Sequence, residues 1–132
     1  MRNLGWLVLG FGIAALACVL VGLSGEASAW QSGDTYSGSG DWTINNPTIV
    51  GDEWYVVVTG NIEVRSTLTI YNSGVLLDQS SEGQYTVNVA SGGTLRLYDS
   101  WLGSYDSYHY KFTVYGSLHV NSSDVSDMWG DT

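Results

Sequence analysis

From Asp41 onward, apolar and polar residues alternate along the chain with a period of two. Val56-x-Val58, Ile62-x-Val64, Leu68-x-Ile70, Tyr85-x-Val87-x-Val89, Leu95-x-Leu97, Phe112-x-Val114 and Leu118-x-Val120 all follow this pattern. Alternation of this kind marks strands with one face in a core and the other toward water. The gaps are filled by Thr59-Gly60-Asn61, Ser91-Gly92-Gly93 and Tyr115-Gly116-Ser117, which are turn residues. The only proline, Pro47, precedes the first well-formed strand. No segment after Ala29 has the period of a long helix.

The strands also repeat. TLTIYNSGVLL (67–77) aligns with TLRLYDSWLGS (94–104) and SLHVNSSDVSD (117–127), at offsets of 27 and 23 residues. Three apolar columns recur: Leu68/Leu95/Leu118, Ile70/Leu97/Val120 and Val75/Leu102/Val125. Ser73/Ser100/Ser123 form a further column, preceded by Asn72, Asp99 and Ser122, and read as capping ladders at corners. A second alignment matches WYVVVTGNIEV (54–64) to YKFTVYGSLHV (110–120), which puts an extra six residues in the first coil and, by aligning Tyr110 with Trp54, turns Tyr110 toward the core. Short strands repeating at intervals in the twenties predict a solenoid. A single coil buries too few side chains to offset its ordering entropy, so coils of this kind stack.

The expected fold is therefore all-β, a right-handed parallel β-helix of about three coils, preceded by an N-terminal signal-peptide helix. Arg2 followed by the apolar run Leu4–Leu23 and the small residues Ala27-Ser28-Ala29 has the layout of a secretory signal, with cleavage expected after Ala29. An uncleaved anchor through residues 4–23 is the alternative. The expected layout is a signal peptide or anchor at 1–29, a lead-in or cap at 30–52, and coils at 53–132 that are truncated at the C-terminus.

Composition narrows the function classes. With 13 acidic residues against 4 Lys plus Arg in 132 residues, the net charge of −9 argues against nucleic acid as a partner. The single cysteine, Cys18, rules out an intramolecular disulfide and a cysteine-based zinc site.

The succession GDWTI (40–44), YVVVTGNIEV (55–64), LTIYNSGVLL (68–77), SEGQYTVNVASGGTLRLYDS (81–100) and YHYKFTVYGSLHVNSSDVSDMWGD (108–131) resembles secreted archaeal surface proteins. These are built on a right-handed parallel β-helix of the pectin-lyase-like type. The resemblance implies an extracellular, cell-envelope scaffold. It transfers no catalytic site, because enzymes of the wider superfamily place clustered Asp residues across central coils that this chain does not contain.

Several residues are candidates for chemistry. Thr69, Arg96 and His119 are expected outward in one column, and Tyr71, Tyr98 and Asn121 in the next. Tyr71 and Tyr98 would offer a strip for sugar rings, with Arg96 and His119 as polar contacts; plain cross-strand pairing accounts for the same residues. Tyr105, Tyr108, His109 and Tyr110 make a dense aromatic segment. Asp124, Asp127 and Asp131 are a calcium candidate, although their spacing matches no calcium loop; Asp34, Asp41, Asp52 and Glu53 read as solvated acids. His109 and His119 lack a third zinc ligand. No catalytic pair of carboxylates is visible, and no cofactor is called for. Asn121-Ser122-Ser123 is a glycosylation sequon, whereas Asn46-Pro47-Thr48 is excluded by its proline.

These readings converge on a non-enzymatic, extracellular or cell-surface β-helix with a structural or adhesive role. A carbohydrate-binding module is the alternative, and the N-terminal part of a longer polysaccharide lyase or hydrolase the third. The expected partners are polysaccharide or cell-envelope components and, at the open end, further copies of the chain.

Overall fold

The computed structural model describes residues 30–51 and 55–129. The expected signal segment, its cleavage point at Ala29, and Asp52, Glu53, Trp54 and Asp131 lie outside the described residues. The described chain is all-β and contains no helix. Its strands are β1 (Trp30–Ser32), β2 (Trp42–Ile44), β3 (Thr48–Gly51), β4 (Tyr55–Val58), β5 (Ile62–Val64), β6 (Thr67–Tyr71) and β7 (Gly74–Leu77). β8 (Thr86–Val89), β9 (Thr94–Tyr98), β10 (Trp101–Ser104), β11 (Lys111–Val114), β12 (Ser117–Asn121) and β13 (Asp124–Val125) follow.

Successive strands turn through three sheets in rotation. Sheet I orders β2-β5-β8-β11, sheet II orders β1-β3-β6-β9-β12, and sheet III orders β4-β7-β10-β13. Every pairing is parallel except β1 with β3. The result is a parallel β-solenoid of about four turns.

The predicted columns stack in register: Leu68 on Leu95 on Leu118, Ile70 on Leu97 on Val120, and Val75 on Leu102 on Val125. Two expectations change. There is one coil more than expected, because β2, β3 and β4 supply one strand to each sheet ahead of Ile62. That turn was hidden by Thr48, a polar residue at a core position. Its hydroxyl donates to the Asn46 carbonyl (2.8 Å) and accepts from Asp34 N (2.9 Å), so burial leaves it paired.

The second alignment is also corrected. Ile62 and Val64 belong to sheet I and stack on Val87 and Val89, not on Leu118 and Val120, so no six-residue insertion is needed. The two segments looked alike because both are strand, glycine corner, strand. A Cβ at Gly60 would come within 2.3 Å of the Gly40 backbone, and one at Gly116 within 2.2 Å of the Gly93 carbonyl. Two different corners thus demand the same residue.

Inward residues of the first three coils form one continuous apolar core from Trp42 to Leu102, joined by Tyr110. Tyr110 faces inward as expected and forms a parallel bridge with Met128. The two ends of the stack differ. At the first coil, β1 lines β3 and the segment after it folds across the end. The Asp34 carboxylate accepts from Asn45 N (2.6 Å) and Asn46 N (2.7 Å), and Trp42 Nε1 donates to the Asp34 carbonyl. The Tyr36 ring packs 5.6 Å from Trp42, while its hydroxyl accepts from Thr59 N. At the last coil nothing comparable is present among the described residues. Leu118 and Val120 are 38% and 46% exposed, against 1% and 0% for Leu95 and Leu97 directly above them.

Candidate functional site

Because the interior is filled by apolar side chains, any binding chemistry lies on the outward faces. On sheet II, parallel register places Thr69, Arg96 and His119 in one outward column and Tyr71, Tyr98 and Asn121 in the next. Arg96 therefore stands between Thr69 and His119, and Tyr71 beside Tyr98, with both tyrosines partly exposed. The Tyr71 ring leans over the preceding coil, where a Cβ on Gly51 would come within 2.6 Å of it. Asn121 ends β12 in an exposed position, its Oδ1 accepting from the Ser122 hydroxyl.

The corner between sheets II and III is built by the polar columns. Asn72, Asp99 and Ser122 all adopt the left-handed conformation, with φ of 51°, 49° and 49°. Asn and Asp tolerate this region because their short polar side chains bond locally. One residue later, the Ser100 hydroxyl accepts from Ser73 N (3.2 Å) and donates to the Tyr98 carbonyl (2.7 Å). The Ser123 hydroxyl repeats the pattern with Ser100 N (3.0 Å) and the Asn121 carbonyl (2.7 Å). Each serine thus bridges two coils.

Past that corner, sheet III carries an aromatic pair that sequence reasoning missed. Tyr55, Gly74 and Trp101 share an outward column. The Trp101 ring covers Gly74, where a Cβ would meet it at 2.6 Å, and meets Tyr55 edge-on at 5.3 Å between centroids. Tyr55 remains 57% exposed. The signal was present in the residue directly after each corner serine, Gly74 and Trp101, but it appears only once Tyr55 is assigned to the additional coil.

Sheet I presents a polar shelf instead. A cavity of about 340 Å³ is lined by Asp41, Thr43, Asn61, Glu63, Arg65, Thr86 and Asn88, together with Ile62. Much of this lining is bound to itself. Asp41 accepts from Asn61 N (2.8 Å), Asn61 Oδ1 from Thr86 N (2.8 Å), and both Glu63 oxygens from Asn88 Nδ2 (3.0 Å). Arg65 lies 3.8 Å from Glu63.

The aromatic loop segment is pinned by Glu82 of the preceding coil and by its own Asp106. Glu82 accepts from the His109 backbone N–H and contacts its Nδ1 at 2.9 Å. Hydrogen bonding to His109, backbone first, holds the Glu82 carboxyl below its ordinary value. At Asp106, desolvation pushes the pKa up, but hydrogen bonds from Tyr108 N, Ser104 Oγ and Gln79 N outweigh it and the net shift is downward. Burial, reinforced by Asp127 and Asp124, raises the Tyr110 phenol well above its usual value. Tyr105 and Tyr108 stay exposed.

His109 and His119 occupy separate elements, the loop before β11 and the middle of β12. Asp127 Oδ2 is engaged by Ser104 N (3.2 Å), and no three His, Cys, Asp or Glu side chains converge among the described residues.

The fold and these surfaces define a short parallel β-solenoid with polar and aromatic outward faces. No family model, curated protein or solved structure matches the chain.

Proposed function

We propose that this chain is a secreted or cell-envelope scaffold with a structural or adhesive role. The observation that carries the reading is the use of outward and corner polar groups to lock coil to coil. The serine ladder, the Asp41–Asn61–Thr86 chain and the Glu63–Asn88 contact all join successive turns. Such a stack displays its outward columns at a repeat of about 4.8 Å, which suits a rigid spacer or display surface. The signal-like segment 1–29 and the resemblance to secreted archaeal helices of the right-handed, pectin-lyase-like type support the location. Fractionation of producing cells tests it: the protein is expected in the envelope or medium with Trp30 as its first residue. Recovery in the cytosol with Met1 retained contradicts it.

A second reading, carbohydrate binding, is supported by Tyr71 and Tyr98 on sheet II and the Tyr55–Trp101 pair on sheet III, with Arg96 and His119 as polar contacts. Aromatic faces of this kind stack on the C–H faces of sugar rings. A glycan array decides between the readings. Binding that falls at least tenfold in Tyr98→Ala and Trp101→Ala favours the module; an empty array leaves the scaffold.

A further inference from the structure

One polar motif is used by neither the scaffold nor the binding reading. Asn121-Ser122-Ser123 is the one Asn-x-Ser/Thr sequence in the 132 residues that no proline interrupts. It starts on the last residue of β12 and enters the corner where Ser122 turns left-handed, with φ of 49°. We propose that Asn121 is the acceptor for an N-linked glycan whose first sugar lies against the Tyr98 ring. The proposal rests on the export reading above, because the transferring enzyme meets only chains that enter the export route. It also gives Tyr98 a sugar carried by the chain itself instead of a free polysaccharide.

Three observations carry it. First, the side chain lies on an outward face. Parallel register sets Asn121 beside Tyr98, and Tyr98 beside Tyr71, in one outward column of sheet II. Tyr71 and Tyr98 keep 40% and 37% exposure although their strands are paired on both sides. Access in this column therefore comes from strand alternation, and it would persist with a further strand laid beside β12.

Second, the amide is oriented. The Ser122 hydroxyl donates to Asn121 Oδ1 (3.2 Å), while Nδ2 makes no hydrogen bond among the described residues. Nδ2 is the atom that takes the sugar, so its substitution breaks no contact of the fold.

Third, an aromatic ring stands within reach. Neighbouring positions of a column are about 4.8 Å apart, so a pyranose joined to Nδ2 reaches the tyrosine of the preceding coil. Its C–H face then covers part of the exposed ring.

The step is a group transfer from a lipid-phosphate-linked glycan. Asn121 Nδ2 attacks C1 of the activated sugar, the C1–N bond forms and the C1–O bond breaks. The phosphate leaves with the electron pair, and the Nδ2 proton passes to a base of the transferase. Ser123 sets the timing, because transferases that read this sequence require its hydroxyl. In the folded corner that hydroxyl accepts from Ser100 N (3.0 Å) and donates to the Asn121 carbonyl (2.7 Å). Transfer therefore precedes closure of the corner.

Secretion of the full chain from an N-glycosylating yeast tests this. A second arm, in which a yeast leader replaces residues 1–29, separates a failure of export from a failure of the site. Peptide mapping after release by peptide N-glycosidase should show one glycan, at residue 121. It should be lost in Asn121→Gln and Ser123→Ala and kept in Ser123→Thr. In NMR spectra of the secreted protein, ring protons of the first sugar should be shifted upfield by the Tyr98 ring current. That shift should vanish in Tyr98→Ala, or in Tyr98→Leu if the alanine variant does not fold. Secretion behind the yeast leader with Asn121 unmodified would overturn the proposal and leave the export reading standing. Sugar protons indifferent to the loss of Tyr98 would overturn the contact. Retention in the cytosol only when the chain carries its own residues 1–29 would overturn the export reading, and the proposal with it.

Discussion

Leu97 and Tyr98 are neighbours in sequence with opposite fates, and the difference sets the expected cost of losing each. Leu97 is fully buried between Ile70 and Val120, so Leu97→Ala removes buried methyl groups and leaves a cavity. A loss of about 2–5 kcal/mol is expected in a denaturant titration, with Tyr98→Ala well below it. The reverse order would shift the register by one. Ser100 makes a different kind of prediction, because its hydroxyl serves the buried Ser73 N–H. Ser100→Ala orphans that donor and is expected to cost about 1–3 kcal/mol in the same titration. Both positions were legible in the sequence, as Leu97 lies in a clean alternation and Ser100 in a repeated column. Thr48 and Tyr55 were not, since a buried hydroxyl interrupts the alternation and the Tyr55–Trp101 contact requires the three-dimensional register.

At the scale of elements, the covering segment after β1 is clamped in part by one carboxylate. Hydrogen bonds from Asn45 N and Asn46 N, in that order, hold Asp34 below its ordinary value of 3.8. The folded state therefore keeps this group ionised more readily than the unfolded chain does. Its contribution is fully present above the unfolded value and is lost as pH falls through the lower, folded one. Acid also relieves the repulsion of a chain with net charge −9, so the informative quantity is a difference. The gap in Tm between the native chain and Asp34→Asn is expected to be widest at neutral pH and to close below about pH 4. A gap that widens on acidification contradicts the clamp. The corners carry an analogous constraint. A Cβ at Gly93 would approach the Val64 carbonyl to 2.1 Å, so Gly93→Ala should destabilise by about 1–3 kcal/mol in thermal or denaturant melts. The turns were readable from glycine, asparagine and aspartate, but which corner each belongs to was not. A strand–glycine–strand segment looks the same at the corner from sheet III to sheet I as at the corner from sheet I to sheet II, which is why 54–64 aligned with 110–120.

For the whole molecule, stability comes from stacking, and it should be graded along the axis. Middle coils are covered above and below, the first is covered by β1 and Tyr36, and among the described residues the last has one bare side. Repeat architectures behave in this way because each unit contacts only its neighbours. The measurement that tests this most directly is residue-by-residue amide hydrogen exchange. The account predicts the strongest protection in β6, β7 and β9 and weaker protection in β11–β13. Uniform protection along the chain, or β6 and β9 exchanging as fast as β12, would contradict a solenoid whose stability comes from coil-on-coil stacking.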